Sequence, residues 1–194
     1  MAIRKFSTLT RQQLIFTEVF HQANIRNYYK DEYQANELRI KRENGWDEQH
    51  QYACVCCPRR FGKTYIVGAY CACSLLCVPG SKLTIYSPGQ RQSQAFIELI
   101  RANLEFLRDV HGYKFEYAKG KNNQETVGII VNGDERIVKG LPAAEDTTRG
   151  MGGTCVIAEE AAALSKRFFA RVILPTTVGT VTAFIAISTI QGAD

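Results

Sequence analysis

No apolar stretch of this sequence reaches the roughly 18 residues that a membrane-spanning helix needs. The longest candidate, downstream of Thr64, is broken by Gly68, Ser74 and several cysteines. Arg4 and Lys5 lack the apolar segment that would follow them in a secretory signal. The chain therefore reads as soluble and intracellular, without a membrane partner. Zinc-knuckle spacing is also missing. Cys54, Cys56 and Cys57 form C-x-C-C, Cys71, Cys73 and Cys77 form C-x-C-x3-C, and Cys155 stands apart. An odd cysteine count with no signal argues against a disulfide framework; small buried hydrophobes are the expected role, with a metal cluster or redox role as the alternative. There is no internal repeat or low-complexity segment. Neither sign of charge dominates: a formal net charge of +5 permits a polyanionic partner without requiring one. With 194 residues, 45% hydrophobic and 22% charged, the composition is that of a folded domain with a sizeable core.

The most informative stretch is Cys57-Pro58-Arg59-Arg60-Phe61-Gly62-Lys63-Thr64. It follows a short apolar run, Tyr52 to Cys56, and opens onto Tyr65 to Leu76, long enough for a buried helix. Strand, tight loop, Lys-Thr and helix is the context of a phosphate-binding loop. Loop and helix N–H groups would hold phosphate oxygens, Lys63 would reach the β- and γ-phosphates, and the Thr64 hydroxyl would ligate Mg²⁺. The first glycine of the usual pattern, five positions before Gly62, is replaced by Cys57.

The rest of the chain alternates strands with helices. Leu9 to Tyr29 carries Leu14, Ile15, Val19, Phe20 and Ile25 at helical spacing, with Thr10 as a cap. Asp31 to Glu43 reads as an exposed helix ended by Asn44-Gly45. Lys82 to Ser87 is a second strand. Gln90 to Val110 is a helix with a stripe of Ala95, Phe96, Leu99, Ile100, Leu104, Leu107 and Val110, and Arg91, Arg101 and Arg108 on its other face. Asn132-Gly133 marks a hairpin between Thr126–Val131 and Glu135–Val138. Leu141 to Gly153 reads as a loop, Thr154 to Ala158 as a buried strand, and Ser165 to Leu174 as a helix closed by Pro175. Thr180 to Ile187 is a final strand. The pattern predicts a three-layer α/β domain over residues 51–194, with a mostly parallel sheet covered by helices on both faces. A helical arm, residues 1–50, is expected to pack on its edge.

Ligands of parallel sheets collect at the carboxyl ends of strands, where two further polar pairs fall. Glu159-Glu160 follows a buried strand and suits a division of labour, Glu159 toward a metal ion and Glu160 toward the attacking water. Ser188-Thr189 is placed to hydrogen-bond a γ-phosphate or Glu160 and to couple hydrolysis to motion. Arg59 and Arg60 within the loop, and Arg149 before Gly150, are candidates to stabilise charge on a transferring phosphoryl group. Such assistance is worth about 10³–10⁵ in rate where it operates.

Together these residues resemble the ATPase domain of the large terminase subunit, the motor that packages viral DNA. Pro58-Arg59-Arg60-Phe61-Gly62-Lys63-Thr64 is similar to the herpesvirus-type loop and, more distantly, to that of tailed phages. Thr148-Arg149-Gly150 followed by Thr154 to Ala161 resembles the family's Arg-Gly, apolar strand and acidic pair, and Ile187-Ser188-Thr189 its coupling motif. The order matches from about Tyr52 to Gly192. The resemblance implies a P-loop NTPase fold (RecA/ASCE-like), with ATP and Mg²⁺ as cofactors. It implies Lys63, Thr64 and Glu159 at phosphate and metal, Glu160 and Arg59 in catalysis, and Ser188 and Thr189 in coupling. Glu159 stands where the family usually has Asp. Leu9-Thr10-Arg11-Gln12-Gln13 faintly resembles the adenine-contacting motif, which makes Gln13 a candidate. Implied partners are double-stranded DNA, a portal protein, a small terminase subunit and further copies in a ring. The implied setting is the host nucleus. No nuclease domain, and so no DNA cleavage, is expected in this chain. Two other readings share these motifs: the first RecA-like domain of a superfamily 2-like helicase, and a non-catalytic nucleotide-gated scaffold.

Overall fold

Apolar runs bounded by turn residues become the strands of one seven-stranded sheet in a computed structural model that describes residues 9–144, 153–177 and 183–190. Helix α1 (Arg11–Tyr29) leads through a 3-10 turn to α2 (Tyr33–Asn44). Then come β1 (Tyr52–Cys57), α3 (Lys63–Cys77), β2 (Lys82–Ser87), α4 (Gln90–His111), β3 (Glu116–Asn123), β4 (Thr126–Val131) and β5 (Asp134–Pro142). After β6 (Cys155–Ala158), a helical segment comprises α5 (Lys166–Phe168), a π-helical turn (Phe169–Ile173) and α6 (Leu174–Thr177). Strand β7 (Ala183–Thr189) is the last.

Strand order is β1-β7-β6-β2-β5-β4-β3. The first four pairings are parallel, and β5-β4 and β4-β3 are antiparallel. The β4–β5 turn is the expected one, because Asn132 (φ 51°) and Gly133 (φ 78°) both take the left-handed region that a two-residue hairpin needs. Strand β3 has no apolar alternation to announce it. Of its residues only Ala118 is buried, so it is held by backbone pairing to β4.

Side-chain alternation assigns the two faces. Leu83, Ile85, Cys155, Ile157, Ala183, Ile185 and Ile187 face the main core with α1, α3 and α4. Tyr86, Val156, Ala158 and Phe184 point the other way, against Phe168, Val172 and Ile173 of the last helical segment. The three-layer arrangement follows. Helix α3 is buried on nearly every side and approaches α4 closely: a Cβ at Gly68 would lie 2.8 Å from Leu99 Cδ2. Its C-terminus is held by buried Arg136, which donates to the Leu75 and Leu76 carbonyls and to Asp134.

Several expectations need correcting. Helix α1 buries Phe16, Phe20 and Ala23 at i, i+4 and i+7, whereas Leu14 and Ile15 are exposed. The phase was set by the wrong apolar residues, and Phe16 and Phe20 are the anchors that join this helix to the main core. In α4 the stripe holds at Phe96, Ile100, Leu104 and Leu107 and gains Ile97, while Val110 is exposed. Pro175 does not end its helix. The wider π turn before it relieves the clash of the proline ring with the preceding turn, and α6 continues to Thr177. Leu141 and Pro142 belong to β5 rather than to a loop. Only Cys57, Cys71 and Cys155 are buried; Cys54 and Cys56 are exposed because β1 has a single described neighbour and one open face, and Cys77 is exposed at the end of α3.

Candidate nucleotide-binding site

The parallel strands deliver their carboxyl ends to one edge of the sheet, and the loop after β1 rises over it. Two left-handed residues shape that loop, Arg60 (φ 63°) and Gly62 (φ 87°), and Gly62 caps α3. No side chain caps the α3 N-terminus and no acidic residue lies in its first turn. A helix end left in this condition favours an anion. Thr64 is exposed at that turn, as are Pro58, Arg59 and Arg60, whereas Lys63 is buried and aimed across the sheet edge.

Lys63 Nζ donates to Thr189 Oγ1 at 2.6 Å and lies 3.3 Å from Glu160 Oε1. Thr189 also binds Glu160, its hydroxyl 2.6 Å from Oε1 and 2.8 Å from Oε2, and its N–H donates to Oε2 at 3.2 Å. The loop lysine, the second glutamate of the acidic pair and the end of β7 therefore meet at one point. Glu160 reaches it from a left-handed backbone (φ 47°, ψ 49°), a conformation costing a non-glycine residue on the order of 1 kcal/mol. Strain at such a position accompanies function often enough to support a site.

The two glutamates differ. Partial burial opposes the charge on Glu160, but the Thr189 hydrogen bonds and the Lys63 ammonium outweigh it, and its carboxyl is held below the usual range. Glu159 is 7% exposed, and burial, with the neighbouring Glu160 charge, pushes its carboxyl up. The Lys63 ammonium opposes that rise in part. Ser87 lies near Glu159 but outside hydrogen-bonding geometry: Glu159 Oε2 and Ser87 Oγ both lack a partner among the described residues.

Glu159 and Thr64 offer the hard oxygen donors that suit Mg²⁺, an ion usually held by one or two carboxylates together with phosphates and water. No group of three or more His, Cys, Asp or Glu able to hold a metal occurs among the described residues. Glu159 Oε2, without a partner among the described residues, leaves a carboxylate oxygen free for such an ion.

Gln13 is brought to the loop by the start of α1. Thr10 and Gln13 form a reciprocal capping box, and Gln13 Nε2 donates to the Phe61 carbonyl at 2.7 Å. Each end of the amide keeps one unused hydrogen-bonding position. Ser188 departs from expectation. It pairs with Cys56 on the opposite side of the sheet from Thr189, and its buried hydroxyl has no partner among the described residues. Of the expected coupling pair, only Thr189 joins the network. Arg149 lies outside the described residues. Arg91 is exposed, Arg101 donates to the Asn123 carbonyl, and Arg108 pairs with Glu105 and Asp109. Ser87 is the residue that sequence reasoning missed, although its place at the carboxyl end of β2 was the available signal.

No protein-family model and no curated protein matches the chain. Among solved structures it is similar to the large terminase ATPase domain of Thermus phage P74-26. The identity is 19%, the TM-score 0.61, and the match covers 80% of this chain and 70% of that one. The HK97 bacteriophage large terminase matches at 15% identity and TM-score 0.55 over 74% of this chain. A large terminase from a thermophilic bacteriophage matches at 12% identity and TM-score 0.51 over 77% of this chain. The chain spans 30% and 38% of those two longer proteins, respectively. All three are phage proteins, so the herpesvirus-type likeness rests on the loop residues alone, and the expected nuclear setting gains no support. No helix among the described residues is long and apolar enough to cross a membrane. The chain has the P-loop fold of the large terminase ATPase domain.

Proposed function

We propose that this chain is the ATPase motor part of a phage-type large terminase, hydrolysing ATP to drive double-stranded DNA. The observation that carries the reading is the meeting of Lys63, Glu160 and Thr189, with Lys63 Nζ 3.3 Å from Glu160 Oε1 across the sheet edge. Here the lysine and the carboxylate satisfy each other. A triphosphate seated on the loop offers Lys63 phosphate oxygens instead and frees Glu160.

The roles then divide as follows. The backbone of Pro58 to Gly62 and the α3 N-terminus hold phosphate oxygens, and Gln13, bonded to the Phe61 carbonyl, contacts the base. Thr64 and, through water, Glu159 would hold Mg²⁺, which supplies charge neutralisation at the phosphates. Glu160 accepts a proton from the attacking water as its oxygen bonds to the γ-phosphorus and the bond to the β-phosphate oxygen breaks, leaving ADP and phosphate. Arg59 stabilises the transferring group, with Arg149 or an arginine of a neighbouring copy as a further source. Thr189 reports the exchange of Lys63 between Glu160 and phosphate to β7.

DNA contact in this reading is to phosphates, insensitive to sequence and steeply dependent on salt. Assembly into a ring with a portal protein and a small terminase subunit, and a nuclease domain supplied by further polypeptide, belong to the same proposal. The test compares ATP binding and steady-state hydrolysis, with and without duplex DNA, for the parent and Lys63→Ala. The reading expects Lys63→Ala to lose nucleotide binding, and the parent to bind DNA with an affinity that falls steeply between roughly 50 and 200 mM salt. Undiminished binding in Lys63→Ala, or salt-independent DNA binding, overturns it.

A further inference from the structure

Ser87 closes β2 and Glu159 follows β6, and the two strands are hydrogen-bonded neighbours. Tyr86 pairs with Ala158, and the Glu159 N–H donates to the Tyr86 carbonyl at 2.8 Å. Alternation carries Leu83, Ile85 and Ser87 on the same side as Cys155, Ile157 and Glu159, the side where α3 and Lys63 lie. Ser87 is 0% exposed and Glu159 is 7% exposed. Ser87 Oγ and Glu159 Oε2 are both sealed from solvent and both without a hydrogen-bond partner among the described residues. Buried polar atoms are nearly always satisfied, so two neighbouring exceptions at the mouth of a phosphate loop call for a shared partner.

We propose that Ser87 is a positioning residue for the divalent cation of the nucleotide site, its hydroxyl orienting Glu159 and binding a water of that cation together with Glu159 Oε2. The inference rests on the nucleotide-binding reading above. A serine hydroxyl has one donor and two acceptor positions, so it can donate to a carboxylate oxygen while accepting from a metal-bound water. Mg²⁺ gives up its waters reluctantly, so a site of this kind recognises the hydrated ion through groups one step removed. Loss of such groups typically costs about 10–100-fold in metal affinity. Ser188, the other buried serine at this sheet edge, is excluded by its register with Cys56 on the opposite face.

The test uses Mn²⁺ as a spectroscopic stand-in. Mn²⁺ affinity is measured by electron paramagnetic resonance in the presence of ADP, and ADP affinity by calorimetry in EDTA. Both are read for the full chain as parent, Ser87→Ala, Ser87→Cys, Glu159→Ala and the Ser87→Ala/Glu159→Ala double variant. The expected result is a loss of about tenfold or more in Mn²⁺ affinity for Ser87→Ala, a smaller loss for Ser87→Cys, and unchanged metal-free ADP affinity. In the Glu159→Ala background, Ser87→Ala should cost clearly less than it does alone, because part of its effect passes through Glu159 and the two share one metal-bound water. Parental Mn²⁺ affinity in the serine variants, or independent additive losses in the double variant, overturns the inference. So does a parallel loss of metal-free ADP binding, which marks a purely structural serine. Should Ser87→Ala fail to fold, Ser87→Cys decides by the same criteria. A parent that binds no ADP under either condition overturns the nucleotide reading itself, an outcome distinct from the others.

Discussion

Replacing Thr189 by Val removes one hydroxyl and keeps the shape and strand preference of the residue. In the ligand-free protein that hydroxyl accepts from Lys63 at 2.6 Å and bonds Glu160 Oε1 at 2.6 Å. Hydrogen bonds to charged groups contribute about 1.5–3 kcal/mol each where buried. Here the Glu160 side chain is 33% exposed and the direct Lys63–Glu160 contact survives, so a combined loss of about 1–2 kcal/mol is the expectation. A chain of this size should then melt about 2–8 °C lower by circular dichroism or differential scanning fluorimetry. The same change should help a nucleotide. Lys63 must leave Thr189 and Glu160 to reach phosphate, so weakening that arrangement in the free state lowers the cost of binding. ADP, which lacks the γ-phosphate that Thr189 could otherwise contact, should bind up to about tenfold more tightly to Thr189→Val by calorimetry. Lower stability with tighter ADP is a combination that general damage does not produce. Unchanged melting together with weaker ADP binding would refute the reasoning.

Other changes test separate parts of the account. Glu159→Gln should raise the melting temperature of the ligand-free protein at about pH 7–8 by a few degrees, since removing a buried charge whose Oε2 lacks a partner among the described residues relieves on the order of 1 kcal/mol. Because the Glu159 carboxyl is raised above its ordinary 4.5, its contribution is present below that value and is lost as pH rises through the raised one. Glu160 has the opposite sign: its contribution is present above 4.5 and is lost as pH falls through the lowered value, so Glu160→Gln should flatten the acid limb of a stability profile. Arg136→Met leaves Asp134 and the Leu75 and Leu76 carbonyls without their donor, which should cost about 3 kcal/mol in urea unfolding without altering ADP affinity. A thiol reagent on the native protein should label Cys54, Cys56 and Cys77 quickly. It should spare Cys71, fully buried, and Cys155, whose burial pushes its thiol up to about 12, until the chain unfolds.

Much of the fold was legible because its information is local. Lys82–Ser87 is continuous and β-branched enough to name its strand, Asn132-Gly133 names its hairpin, and Gly62-Lys63-Thr64 between strand and helix names the loop. Strand β3 was not legible because it is an edge strand held by backbone pairing, with polar side chains on both faces. The exposure of Cys54 and Cys56 depends on which strands flank β1, which the residues themselves do not encode. Helix α1 misled because Leu14 and Ile15 are as apolar as the residues actually buried, and only the docking of Phe16 and Phe20 against α3 and Phe61 sets the phase. At the site, the strand-end rule located Lys63, Glu160 and Thr189. The parity that separates Thr189 from Ser188, and the sealing of Ser87 beside Glu159, required the sheet register.

The central claim is that Glu160 waits on Lys63 for a triphosphate and then activates water. A single-turnover experiment with labelled ATP in excess protein tests it directly, comparing the parent with Glu160→Gln. The account predicts that the parent converts bound ATP to ADP and phosphate, whereas Glu160→Gln retains its ATP intact and hydrolyses at least about 100-fold more slowly. Equal conversion by the two proteins would contradict it.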